Sequence, residues 1–151
     1  STTMFDKILC AVDGSDHSMR AVEKASALAM KFDGEVIFLT VAKAVKMNEG
    51  LRRFMEVEHV SGQDAQYVLD SFSQEVLNEA QEIAKKIGVK NIKADVKVGP
   101  PARTIVEYAD KHKVNAIVMG SRGHGDLESI LLGSVSHKVA SLSKVTCVTV
   151  R

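Results

Sequence analysis

The hydrophobic positions fall into two periods that alternate along the chain. Lys7-Ile8-Leu9-Cys10-Ala11-Val12 is a short apolar run closed by Asp13-Gly14-Ser15, the form of a strand buried on both faces. Val22, Ala25, Leu28, Ala29 and Phe32 then recur at helical spacing, with Arg20, Glu23, Lys24 and Lys31 between them. That pattern predicts an amphipathic helix ending at Asp33-Gly34. Residues 35–41 return to a strand pattern, and a crossover of this length between two strands calls for a right-handed parallel βαβ unit.

From residue 42 to about 62 the pattern weakens. Lys43, Lys46, Asn48, Glu49, Arg52 and Arg53 make this a solvated connection with room for a short helical piece. Ala65, Val68, Leu69, Phe72, Val76, Ala80, Ile83, Ala84 and Ile87 predict the longest helix, closed by Gly88. Residues 92–98 alternate apolar and polar, as a strand with one wet face or at a sheet edge does. Gly99-Pro100-Pro101 is a break, and Pro101 suits the first turn of a helix whose core face is Ala102, Ile105, Val106 and Ala109. Residues 114–119 read as a fourth strand running into Gly120-Ser121-Arg122-Gly123-His124-Gly125. Ser134 can cap a short helix carrying Val135, Val139 and Leu142, and 145–150 read as a fifth strand.

Five strands and four helices in strict alternation predict a single α/β domain over 1–151, a doubly wound parallel sheet with helices on both faces. The first strand is then central, the order is 3-2-1-4-5, and the order reverses between the first and fourth strands. Ligands of such sheets sit beyond the carboxyl ends of the strands at the reversal, here between Asp13-Gly14-Ser15 and Gly120-Ser121-Arg122-Gly123.

Composition narrows the partners. With 20 Lys+Arg against 19 Asp+Glu, the net charge of +1 lacks the basic excess of a dedicated nucleic-acid binder, so none is expected. No run approaches the ~20 apolar residues of a membrane span, and the polar start lacks a signal-type apolar segment; a cytoplasmic protein without membrane attachment is the expectation. Cys10 and Cys147 lie far apart in apolar runs without CxxC spacing and read as buried small hydrophobes.

The chemistry converges on the glycine-dense loop. Gly120 and Gly123 let the backbone turn and approach a ligand with no Cβ in the way, and Gly133 does the same at the entrance of the last helix. The first-turn amides of Ser134, Val135 and Ser136 have no intrahelical partner and lie at the positive end of the helix dipole, which makes an anion cradle. The Ser134 and Ser136 hydroxyls can add donors and Arg122 a positive charge. Asp13 has two readings: it bonds loop amides ahead of the first helix, or it meets a ribose hydroxyl or a Mg²⁺-bound water.

Other chemistries lack their residues. No Gly-Lys pair exists for a Walker loop, Glu128 follows Gly123-His124-Gly125 where a dinucleotide fingerprint needs a small residue, and HExxH, CxxC and GxSxG are missing. Ser134 and His137 lie one turn apart without a third member of a triad. His17, His59, His112 and His124 read as solvated, as do the Arg52-Arg53 and Lys85-Lys86 pairs.

The spacing Gly120-x-x-Gly123, nine residues, Gly133-Ser134 resembles the nucleotide-binding signature of the ATP-binding class of universal stress proteins. The likeness extends to Ile8-Leu9-Cys10-Ala11-Val12-Asp13-Gly14-Ser15, to Met119-Gly120-Ser121-Arg122-Gly123, to Gly133-Ser134-Val135-Ser136 and to the closing Val148-Thr149-Val150. It implies a Rossmann-like, adenine nucleotide alpha hydrolase-like fold and a stress-response regulator that binds ATP, possessing a homodimer interface along the last strand. The implied site comprises Ala11, Val12 and Asp13, the Val41 backbone facing adenine, and Met119, Gly120, Arg122, Gly123, Gly133, Ser134, Val135 and Ser136. Asp13 lies near the ribose or a phosphate-bound Mg²⁺ in that scheme. A cradle without an evident general base or phosphate lysine is better suited to holding a nucleotide than to turning it over, so binding outranks catalysis. The alternatives are a slow Mg-dependent ATP hydrolase or phosphotransferase, and a scaffold without ligand that acts through its dimer surface.

Overall fold

A computed structural model of the chain describes residues 4–42, 49–59, 61–122 and 133–151, with the backbone alone for 62–69. Ten elements follow in order: β1 (Lys7–Ala11), α1 (Asp16–Lys31), β2 (Glu35–Ala42), α2 (Glu49–Val57), α3 (Gly62–Ile87), β3 (Asn91–Val98), α4 (Pro101–His112), β4 (Ala116–Gly120), α5 (Ser134–Leu142) and β5 (Thr146–Val150). The strands form one sheet in the order β3-β2-β1-β4-β5, every neighbouring pair parallel, as the alternation predicts.

Side-chain alternation along the central strands builds two cores. Ile8, Cys10, Val36, Phe38 and Val118 point to the face covered by Val22, Ala25 and Ala29 of α1 and Leu77, Ala80 and Ala84 of α3. Leu9, Ile37, Leu39, Ile117 and Met119 point to the other face, under Ala102, Ile105 and Ala109 of α4 and Val139 of α5. Phe38, Ile8, Leu9 and Leu39 are fully buried, and removing each from water stabilises the fold by about 1.5–3 kcal/mol.

Three departures from the sequence pattern have local causes. The described residues contain five helices, not four. The additional one, α2, falls in the weak connection because only Met55 of it is buried while Phe54 and Val57 stay exposed, leaving no apolar stripe to read. Glu49 lies 3.1 Å from Arg52 and 3.8 Å from Arg53 on its wet side. Cys147 is half-buried, since β5 is an edge strand; Cys10, on the central strand, is fully buried and its thiol pKa is pushed far up by desolvation. Ser134 does not cap α5. Gly133 holds the N-cap position and Ser134 is the first helical residue.

β3 lies at the other edge, with Lys93 and Lys97 exposed, and Ile92 and Val96 packed against the α1/α3 core. No described helix is long and apolar enough to cross a membrane. The predicted positions Gly123, His124 and Gly125, Lys43 and Lys46, and the side chains of Ala65, Val68 and Leu69 lie outside the described residues.

Candidate functional site

The site begins with the way β1 ends. Val12 donates its N–H to the Leu39 carbonyl at 2.9 Å, and Thr40 Oγ1 donates to the Val12 carbonyl at 3.1 Å, so the strand stays registered on β2 to its last residue. The chain then turns through Gly14 at φ 85°, a conformation a residue with a Cβ rarely adopts. Ser15 caps α1 by accepting from the Ser18 N–H at 3.2 Å, and Ser18 Oγ donates back to the Ser15 carbonyl at 3.0 Å. Asp13 Oδ1 accepts from the Ser15 N–H at 2.9 Å, which is the loop-amide role foreseen as one of its two readings.

Beside it, β4 ends at Gly120 and Ser121 follows. The Ser121 N–H donates to the Val150 carbonyl at 2.7 Å, and its own carbonyl accepts from the Gly133 N–H, bringing the entrance of α5 against the end of β4. Ser136 Oγ donates to the Ser121 carbonyl at 2.9 Å and to the Gly133 carbonyl at 3.1 Å. The first main-chain bond of α5 is from the His137 N–H to the Gly133 carbonyl at 2.9 Å. The amides of Ser134, Val135 and Ser136 therefore lack an intrahelical acceptor, and they sit at the positive end of the helix.

These parts enclose a cavity of about 350 Å³ at the reversal of strand order, within the range of small-ligand sites. Its walls bring together Ala11, Val12, Asp13, Val41, Met119, Gly120, Arg122, Ser134, Val135 and Ser136. Ten of the predicted positions thus share one cleft. Gly133 is the N-cap of α5 and not part of the lining, and Gly123 lies outside the described residues. Ser18, Leu39, Pro101 and Ile105 complete the lining without having been anticipated. Leu39 shares its strand face with Val41, and Ile105 lies one turn beyond Pro101, so both extend periods already visible in the sequence.

Four expectations change on contact with this geometry. The Ser136 hydroxyl spends its proton on two carbonyls, so it locks the cradle and offers no donor to a ligand. Gly120 is needed on its other side: a Cβ there would lie 2.8 Å from His17 Cβ and 2.9 Å from the Ser18 nitrogen. Gly133 has φ −65° and ψ 162°, which any residue adopts. Two histidines read as solvated are half-buried and bonded, His17 Nδ1 to Ser121 Oγ at 3.0 Å and His112 Nδ1 to the Tyr108 carbonyl at 3.0 Å. Ser134 and His137 are both exposed, as are Arg52, Arg53, Lys85 and Lys86.

The fold and cleft define a doubly wound α/β protein with a cavity of small-ligand size at its topological switch point. The chain belongs to the universal stress protein family, whose profile matches residues 4–151. It is 38% identical over 136 residues to a universal stress protein of Methanocaldococcus jannaschii, covering 90% of this chain and 76% of that one. To universal stress protein YxiE of Bacillus subtilis it is 35% identical over 155 residues, covering 98% of this chain and all of the other. It also superposes, with a TM-score of 0.71 and 28% identity, on a crystal structure of a universal stress protein in complex with cAMP, covering 99% of this chain and 98% of that one.

Proposed function

We propose that this chain is a cytoplasmic regulatory protein that binds ATP in the switch-point cleft and works as a homodimer paired along β5. The observation that carries the reading is the cleft itself. It combines an apolar wall of Leu39, Val41 and Ile105, suited to a base, with the first turn of α5 and Arg122, suited to phosphates. The relative solved with cAMP supports an adenine nucleotide as the ligand class. Asp13 fits a Mg²⁺ that comes with the phosphates, because such an ion needs few protein carboxylates and keeps several waters. Bound there, it would neutralise phosphate charge. The two free thiols suit a reducing compartment.

Asp13 and Arg122 are the charged side chains among the described residues of the lining, which includes no lysine or histidine. That set holds a nucleotide and equips hydrolysis poorly, so occupancy, not turnover, is the output. Calorimetric unfolding tests the reading. Mg-ATP at a hundred times its Kd stabilises a one-site protein by about 2.7 kcal/mol. For a chain of this size that raises Tm by roughly 5–10 °C. A Tm unmoved by millimolar Mg-ATP overturns the proposal.

A further inference from the structure

Ser121 is not part of the cleft wall, and only 4% of it is exposed. Yet groups from α1, β5 and the entrance of α5 converge on it. Its N–H donates to the Val150 carbonyl at 2.7 Å, its carbonyl accepts from the Gly133 N–H and from Ser136 Oγ at 2.9 Å, and its own Oγ is hydrogen-bonded to His17 Nδ1 at 3.0 Å. His17 belongs to the first turn of α1 and is pressed onto β4 at Gly120, where an added Cβ would meet the His17 carbonyl carbon at 2.9 Å. The carbonyl that docks α5 thus belongs to a residue whose side chain is anchored in α1. That helix also carries the Asp13 side of the cleft through the Ser15 and Ser18 cap.

We propose that His17 and Ser121 are positioning residues of the phosphate cradle, neither touching ligand. Their hydrogen bond sets where the α5 amides stand relative to the Asp13 loop. The inference rests on the nucleotide reading of the cleft. Its physical basis is that backbone amides recognise an anion by distance and direction, and a cradle held to within about 0.5 Å by supporting bonds binds better than one left loose. A partly buried bond between two elements does this without contributing a contact of its own.

Calorimetric titration of the full chain with ATP and with adenosine, alongside urea unfolding, tests the inference. Ser121→Ala and His17→Ala are expected to weaken ATP binding about five- to tenfold, the scale of one lost hydrogen bond. Adenosine affinity should stay within about twofold, because the bond acts on the phosphate end alone. His17→Asn, whose amide sits the same number of bonds from Cα as Nδ1, is expected to restore ATP binding. Unchanged ATP affinity in His17→Ala overturns the inference, as does equal weakening of ATP and adenosine, or failure of His17→Asn to rescue. Should Ser121→Ala not fold, the two His17 variants decide alone. Wild-type protein that binds neither ligand overturns the nucleotide reading and this inference together, whereas normal wild-type binding with unaffected variants overturns the inference only.

Discussion

At the scale of single residues, Gly120 and Tyr108 show how one position's chemistry is set by what it faces. Gly120→Ala forces its new Cβ against backbone atoms of His17 and Ser18, which cannot rotate away as a side-chain tip would. A loss of about 1–3 kcal/mol is expected, read as a lower urea midpoint at unchanged slope. Tyr108 donates its hydroxyl to Asp95 Oδ2 at 3.1 Å and stacks on His112. Burial foremost, then the Asp95 charge and the hydrogen bond to it, push its pKa up to about 12. Because the folded state keeps the proton longer than the unfolded chain, this contribution is complete below about pH 10 and disappears as the pH rises toward 12. Stability should therefore fall across that interval, and Tyr108→Phe should flatten the fall; a spectrophotometric tyrosine titration reads the late ionisation directly. Neither effect was legible in the sequence. A glycine declares that a Cβ is missing, not which neighbour requires its absence, and Tyr108 and Asp95 stand on different elements.

At the scale of elements, the chain was readable wherever burial imposed a period. β1, β2 and β4 carry side chains buried on both faces and show as continuous apolar runs, while β3 at the edge shows as alternation. The cleft was legible for the related reason that α/β connectivity puts the ends of β1 and β4 side by side, so Asp13 and Gly120 could be paired before any distance was known. α2 showed only as room for a short helical piece, without bounds, because a helix with one buried side chain leaves no stripe, and Pro101 and Ile105 escaped because α4 reaches the cleft through packing, not motif. Caps are the other element-scale determinant. Ser15 holds the first turn of α1 through the Ser18 amide and supplies the N–H that fixes Asp13. Ser15→Ala should cost about 1 kcal/mol of stability in urea unfolding, since it leaves that amide without its acceptor at a poorly solvated site. The Ser15 main chain survives the substitution, so Asp13 keeps its amide partner.

At the scale of the whole molecule, β5 is an edge strand whose outer side is, among the described residues, free to pair with another chain. The Ser121 N–H donates to the Val150 carbonyl, so Val150 turns its main-chain groups toward β4. Alternation then aims those of Val148 and Thr146 inward and those of Cys147 and Thr149 outward, along an edge that Cys147 and Val148 leave half-buried. An apolar edge with outward donors and acceptors is a template for a second copy, and a two-fold axis would cover both edges at once. Thr149→Pro isolates this edge, because it removes an outward N–H while leaving the inward ladder to β4 whole. Two-fold symmetry doubles the loss: two hydrogen bonds at about 1 kcal/mol each weaken the dimer roughly thirtyfold. Sedimentation equilibrium should then show wild-type protein as a dimer at micromolar concentration and Thr149→Pro shifted toward monomer, with urea unfolding of the monomer little changed. Wild-type protein sedimenting as a monomer would overturn the homodimer, and a variant dimer as tight as wild type would place the contact between copies elsewhere. Ser121 would then connect the cleft to a strand end with no partner, and nucleotide occupancy would have to act through another surface.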